Sequence, residues 1–104
     1  MDRLGSFEEL VLIVVGRQAG EGYAVTVRAA LERDIADTIS LGAVYATLDR
    51  LEEKALVRSS VGGATPDRGG RSKRFFQLTA KGVAALSQME QIRARLVAGS
   101  MLRA

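Results

Sequence analysis

The chain has 104 residues, a net charge of +3, 47% hydrophobic and 26% charged residues, and neither cysteine nor histidine. This length is enough for one domain with one core. Without those two side chains the protein lacks disulfides, thiol nucleophiles, the commonest general base and the commonest metal ligands. We therefore expect no enzyme, no metal site and no cofactor. The longest apolar run, Leu10 to Val15, is far shorter than the roughly 20 residues of a membrane-spanning helix, so we expect no membrane contact.

The charges are distributed unevenly along the chain. Residues 1–57 contain 6 basic and 10 acidic side chains, a net charge of −4, whereas residues 58–104 contain 9 basic and 2 acidic ones, a net charge of +7. A basic second half suits a polyanionic partner. Solvated surface charge is an equally good interpretation of this asymmetry taken alone.

The first predicted helix covers about residues 7–18. The sequence Ser6-Phe7-Glu8-Glu9 has the pattern of a capping box, in which Ser6 caps the helix and the Glu9 carboxylate returns to the Ser6 amide. This cap favours a helix over a buried strand for the apolar run that follows, and Gly20 and Gly22 end it. Because the run is apolar on all sides, it predicts burial on more than one side, including against a partner subunit.

A second helix is predicted from Tyr23 to Arg33. A polar connector follows, in which Ile39 is a candidate one-residue strand. Ser40 is a suitable N-cap for a third helix at about residues 41–54. Apolar residues recur at helical spacing in that helix and predict its buried stripe, which consists of Leu41, Val44, Leu48 and Leu51.

From Leu56 the pattern changes to that of two strands, Leu56 to Val61 and Lys73 to Thr79, joined by a glycine-rich basic segment. At least one of the two phenylalanines in the second strand is expected in the core, since Phe76 and Leu78 share a strand face. Thr79 is a candidate N-cap for a last helix from about Ala80. This order predicts a mainly α fold with a small β-ribbon, which is a winged helix-turn-helix.

Opposite its apolar stripe, the third helix carries small residues that would let its backbone approach the bases and phosphates of a major groove. The ribbon adds basic side chains beside glycines that let the backbone bend toward a phosphate track. The alternative for the third helix is an ordinary surface helix, which Glu52 and Glu53 favour because their charges would repel DNA. The alternative for the ribbon is a solvated hairpin. The predicted DNA-contacting residues are Ser40, Gly42, Ala43, Tyr45, Ala46, Thr47 and Arg50 around the third helix, and Arg68, Arg71, Lys73 and Arg74 in the ribbon.

The last helix carries a short seam of apolar residues with heptad-like spacing. About 19 residues of helix would be roughly 28 Å long, which is longer than the compact body that precedes it. We therefore expect dimerisation through this helix, with docking on the chain's own core as the alternative. The predicted division is a winged helix-turn-helix domain at 1–79 and a C-terminal dimerisation helix at 80–104, with dimer contacts from Leu10, Val14, Leu86, Met89, Ile92 and Leu96.

Several segments resemble the PadR-like family of regulators. Leu41 to Leu51 is similar to the family's helix pattern Gly-x-x-Tyr-x-x-Leu-x-Arg-Leu. Leu4 to Glu9 and Gly22 to Val25 resemble the starts of the family's first two helices. Arg68 to Arg71 and Phe75 to Gly82 resemble its wing and the strand after it. The resemblance extends from residue 4 to about residue 97.

The resemblance implies a bacterial, cytoplasmic transcription factor, usually a repressor, that binds an inverted repeat in double-stranded DNA as a homodimer. Members of the family release DNA when a phenolic or hydrophobic small-molecule effector arrives. By position, Tyr45 would contact a DNA phosphate, residues 40–50 would enter the major groove, and residues 68–74 would form the wing. Ala55 stands where the family usually has glycine, and the chain has no tryptophan for the drug pocket of some members.

Two classes of function stay open at this point. One is a dimeric DNA-binding repressor, and the other is a winged-helix protein-interaction module without DNA binding. The acidic first half of the chain, with Glu52 and Glu53 on or near the third helix, favours the module. A steep fall of duplex affinity with rising salt would identify the repressor, and no DNA binding at low salt would identify the module.

Overall fold

Within residues 4–62 and 73–100, which the computed structural model describes (Ser100 by its backbone alone), the chain forms four helices and a two-stranded hairpin. The predicted order of elements is confirmed, and their ends differ from the predicted ones by no more than two residues. The elements are α1 (Ser6–Arg17), α2 (Ala24–Ile35), α3 (Leu41–Glu53), β1 (Val57–Val61), β2 (Arg74–Leu78) and α4 (Ala80–Ser100).

The start of α1 differs from the prediction. Its N-cap is Gly5, and the Glu8 carboxylate accepts a hydrogen bond from the Gly5 amide at 2.9 Å. Ser6 is the first helical residue, so the predicted capping box between Ser6 and Glu9 is wrong. Since glycine has no side chain for the reciprocal bond, only the carboxylate half of the cap forms. Glu8 thereby lies beside the end of α3, and Glu9 lies against α4.

Side chains from three helices and the hairpin meet in one core. The predicted stripe of α3 is confirmed, although Leu41 is only half-buried. Phe76 closes the core from β2, in agreement with its strand position. Burial stabilises each large side chain by roughly 1.5–3 kcal/mol, so α3 is held firmly by one face and leaves the other face open. The fully buried side chains include Val11, Leu12, Val15, Val27, Val44, Leu48, Leu51 and Phe76.

The two strands form an antiparallel hairpin whose register pairs Val57 with Leu78 and Val61 with Arg74. A single residue extends this sheet, because the Phe76 amide donates to the Gly22 carbonyl at 2.8 Å. The predicted one-residue strand at Ile39 is wrong. Ile39 is instead buried in the turn between α2 and α3, where its amide donates to a carboxylate oxygen of α2 at 2.9 Å.

Three alanines near helix ends have a left-handed backbone, which glycine adopts at much lower cost. Ala19 follows α1 with φ 52°, Ala36 follows α2 with φ 58°, and Ala55 follows α3 with φ 61°. The conformation of Ala55 explains why glycine is usual at that position in the family that the sequence resembles. The chain therefore carries some backbone strain where α3 turns into β1.

α4 begins after Thr79, whose hydroxyl accepts from the Gly82 amide at 3.0 Å, as its N-cap role predicted. Gly82 must be glycine because a Cβ there would lie 2.1 Å from the carbonyl oxygen of Leu56. The first half of α4 packs on the body, whereas Leu96 near its end is 66% exposed. No helix in the described part of the chain is long and apolar enough to cross a membrane.

Candidate nucleic-acid interface

The outer face of α3 is open and carries mainly small side chains. Ser40 caps the helix by accepting a hydrogen bond from the Ala43 amide at 3.2 Å. Tyr45 is 48% exposed, and its hydroxyl forms no hydrogen bond with the described residues. We call this surface the reading face. Its members are the six exposed residues Ser40, Gly42, Ala43, Tyr45, Ala46 and Arg50, all of them predicted DNA contacts.

Thr47 does not belong to this surface. It was predicted as a flanking hydroxyl that reaches a phosphate, but it is only 1% exposed. Its hydroxyl oxygen accepts a hydrogen bond from Arg50 Nη2 at 3.1 Å. Thr47 therefore orients a basic side chain of the reading face and is not available to a phosphate.

Glu8 of α1 holds the end of α3 on one flank. The Lys54 ammonium lies 3.1 Å from Glu8 Oε1 and 2.9 Å from Glu8 Oε2. Arg50 Nε lies 3.7 Å from the same Oε2 atom. Burial opposes ionisation of Glu8, but the Gly5 amide and the two cations outweigh it, so the pKa of this carboxyl is lowered. The sequence pattern gave the capping role to Glu9 and predicted no contact for Glu8.

The wing hairpin is fastened to α2 by Lys73. Its ammonium lies 4.4 Å from the ring centroid of Tyr23, the N-cap residue of α2, and donates to the Tyr23 hydroxyl at 3.1 Å. Phe75 packs edge-on against the same ring at 5.7 Å between centroids. Lys73 was predicted as a phosphate contact, and its side chain is partly exposed. The other predicted wing contacts, Arg68 and Arg71, lie outside the described residues.

On the opposite flank of α3, the Arg74 side chain donates hydrogen bonds to three residues. Its guanidinium donates to Asp49 Oδ1 at 2.8 Å, to Ser59 Oγ at 3.1 Å, and to Glu52 Oε1. The Glu52 carboxylate also accepts from the Ser59 hydroxyl and amide, at 2.5 Å and 3.0 Å. We call these four residues the wing clamp. Hydrogen bonding from Ser59, together with Arg74 and against the opposing effect of burial, lowers the pKa of Glu52.

The predicted dimer contacts fall into two groups. Val14 is only 5% exposed within a single chain, because α1 turns it into the core, so its prediction as a dimer contact is wrong. Leu10 and Leu96 are exposed, and Leu86, Met89 and Ile92 are half-buried along α4. An ion pair between Arg93 and the buried Glu9 fixes α4 to α1 beside these residues. The described chain thus has a partly apolar face on α1 and α4 that it does not cover itself.

Most of the sequence matches one known protein family. Residues 11–88 match the sequence model of the transcriptional regulator PadR-like family. The chain belongs to this family. PadR-like proteins are transcriptional regulators, so this chain is a transcriptional regulator and not an enzyme. No curated protein sequence matches the chain.

Solved structures that are similar to this chain, among them PadR-like regulators, have the same fold. A PadR-like transcription factor from Bacteroides fragilis has a TM-score of 0.78 and 20% identity over 90% of this chain and 85% of that one. A PadR family regulator from Clostridium difficile R20291 has a TM-score of 0.71 and 20% identity over 94% of this chain and 100% of that one. The hsRosR-S1 complex has a TM-score of 0.70 and 28% identity over 91% of this chain and 78% of that one. The predicted mainly α fold with a small β-ribbon is confirmed.

Proposed function

We propose that this PadR-like regulator is a bacterial, cytoplasmic repressor that binds an inverted repeat in double-stranded DNA as a homodimer. The observation that carries the proposal is the reading face, where small residues surround the exposed start of α3 and its buried stripe fixes the helix. With Gly42, Ala43 and Ala46 outward, the helix backbone can come close to base edges. The unpaired amides at the Ser40 end can also bind a phosphate.

The phosphate contacts we propose lie on both sides of the reading face. Tyr45 supplies a hydroxyl donor, and Arg50 supplies a guanidinium that Thr47 and Glu8 already orient. Lys73 precedes β2, and its side chain is partly exposed. Arg68 and Arg71 complete the set in this proposal. Contacts of this kind fix the register of a protein on the duplex but do not read its sequence.

We propose that residues 80–104 act as the dimerisation helix and residues 1–79 as the DNA-binding domain. The support is the exposed end of α4, where Leu96 and Val97 face solvent, together with exposed Leu10 and Ile13 on α1. Homodimer interfaces of this kind bury on the order of 2,000 Å² or more. A two-fold dimer would present two reading faces to half-sites about one duplex turn apart.

Relief of repression by a small hydrophobic or phenolic effector is part of the proposal. A groove of about 360 Å³ between α1 and α4 supports it, since an apolar ligand there would contact both helices of the proposed dimer surface. Ile13 and Leu86 supply its apolar wall, and Glu9, Glu90 and Arg93 supply polar groups.

The test is a salt titration of duplex binding with the wild-type protein. Operator sequences are first selected from random duplexes, and affinity is then measured by fluorescence anisotropy between 50 and 200 mM salt, the range over which phosphate contacts are most visible. Four cationic phosphate contacts per subunit, or eight per dimer, give a slope of about −7 for log affinity against log salt. Absence of duplex binding at the lowest salt would reject the proposal and favour the protein-interaction module.

A further inference from the structure

The wing clamp joins both strands of the hairpin to α3. Ser59 belongs to β1 and Arg74 to β2, and both bind the Glu52 side chain. Arg74 also reaches Asp49, which lies three residues before Glu52 on the same helix. Its guanidinium lies 4.8 Å from the ring centroid of Phe76, so the charge rests on a buried aromatic ring as well.

The clamp sits at the end of the hairpin that is nearest in sequence to the predicted wing. Arg74 is the first residue of β2, and it pairs in register with Val61, the last residue of β1. A two-stranded hairpin is marginally stable alone and has no fixed orientation. The clamp therefore fixes this end of the hairpin against α3, beside the contact of Lys73 with Tyr23 of α2.

Arg74 also neutralises acidic groups beside the reading face. Asp49 follows Tyr45 by four residues and shares its side of α3, and its side chain is 56% exposed. An unpaired carboxylate in that position would repel a phosphate backbone. Three of the five guanidinium N–H groups of Arg74 already serve Asp49, Glu52 and Ser59. This leaves Arg74 poorly placed to bind a phosphate in addition.

We infer that Arg74 is a positioning residue rather than a phosphate contact: with Asp49, Glu52 and Ser59 it fixes the hairpin that carries the wing against α3, and it screens the two carboxylates from DNA. This inference rests on the proposed function. It replaces the prediction from the basic sequence around the wing, in which Arg74 and Lys73 both bound phosphates. It also gives Glu52 a favourable role in binding, in contrast to the repulsion expected of an acidic residue on a reading helix.

The two roles of Arg74 predict opposite effects of Glu52→Ala. If Arg74 binds a phosphate, removing Glu52 frees the guanidinium and deletes a negative charge, so the duplex binds more tightly. If the clamp positions the wing, Glu52→Ala weakens binding by roughly five- to tenfold. Glu53→Ala is the matched control, because it removes the same charge from the next residue of α3, which is exposed and outside the clamp. The control is expected to bind at least as tightly as the wild type.

Arg74→Ala completes the experiment. We expect the same five- to tenfold loss, an unchanged salt slope, and no further loss in the double variant Arg74→Ala/Glu52→Ala, because both changes open one clamp. Arg58→Ala removes a guanidinium from the same hairpin, where it donates to Gln77 at 3.3 Å, and controls for net charge. Asp49→Asn, an isosteric change at an exposed site, should weaken binding about two- to threefold, and it keeps the test valid if Arg74→Ala fails to fold.

Three results would overturn the inference. They are tighter binding by Glu52→Ala or Asp49→Asn than by the wild type, a salt slope reduced by about one per subunit in Arg74→Ala, and additive losses in the double variant. Failure of the wild-type protein to bind any duplex is a different result, which rejects the proposed function itself. All affinities are to be measured by anisotropy on the same operator duplex.

Discussion

Replacing Ala43 by glutamate separates DNA binding from the folding of α3. Ala43 is exposed, and its amide donates to the Ser40 hydroxyl, so it occupies the third helical position after the cap. A glutamate there completes a capping box with Ser40 and adds a negative charge at the positive end of the helix. We therefore expect the free energy of unfolding to stay constant or to rise by up to about 0.5 kcal/mol.

The same substitution should nearly abolish binding to the operator. A carboxylate about 7 Å from a phosphate, at an effective dielectric constant of about 20, is repelled by roughly 2 kcal/mol. Since a dimer carries two copies of Ala43, the loss is about 4 kcal/mol, which corresponds to a roughly thousandfold weaker affinity. The larger side chain would also fit less well in the groove, which lowers the affinity further.

Binding is to be measured by anisotropy and stability by urea unfolding on the same preparations. Ala43→Gln controls for bulk, because it fits the same capping box without the charge, and we expect a smaller loss of affinity. Ala84→Glu controls for net charge, because Ala84 is an exposed alanine of α4. Wild-type affinity in Ala43→Glu would refute the reasoning, since α3 would then lie outside the groove.

Three further predictions concern assembly, backbone strain and pH. Leu96→Glu places a charge in the proposed dimer surface without touching the core, so sedimentation should show folded monomers, and an unchanged dimer would refute the role of α4. Ala55→Gly removes a left-handed alanine and should raise the free energy of unfolding in urea by up to about 1 kcal/mol, whereas a decrease would mean that no strain is stored there. The pKa values of Glu8 and Glu52 are lowered in the folded protein, so their carboxylates stabilise it at a pH above the usual pKa of 4.5. This stabilisation is lost as the pH falls through the pKa values of the folded state. Acid titration of thermal stability should show a decline below about pH 4.5 that is smaller in Glu8→Gln, and an identical decline in that variant would contradict the assignment.

Local patterns were sufficient to predict the elements and several of their ends. Ser40 and Thr79 each precede a periodic apolar run and cap it, so a few neighbouring residues decide the outcome. The start of α1 was ambiguous because two overlapping pairs, Gly5 with Glu8 and Ser6 with Glu9, have the same spacing. Serine is the better cap by local preference, but packing decided otherwise, since Glu8 also binds Lys54 of α3.

The partners of the charged residues depend on contacts that are distant in sequence. Arg74 and Asp49 are 25 residues apart, and Lys73 and Tyr23 are 50 apart. A count of basic side chains predicts a basic surface, but it does not say which cations are already paired. Thr47 illustrates the same limit for burial, because its position on the flank of α3 becomes interior only through tertiary packing.

The central claim is that α3 lies in the major groove of an inverted repeat, and tethered DNA cleavage tests it most directly. The chain has no cysteine, so Glu53→Cys offers a single site for an iron chelate at the exposed end of α3. We predict two cleavage centres on the operator, related by two-fold symmetry and about 10 bp apart, and little cleavage from the same chelate at Ala84→Cys. Cleavage from position 84 but not from position 53, or cuts without symmetry, would contradict the account.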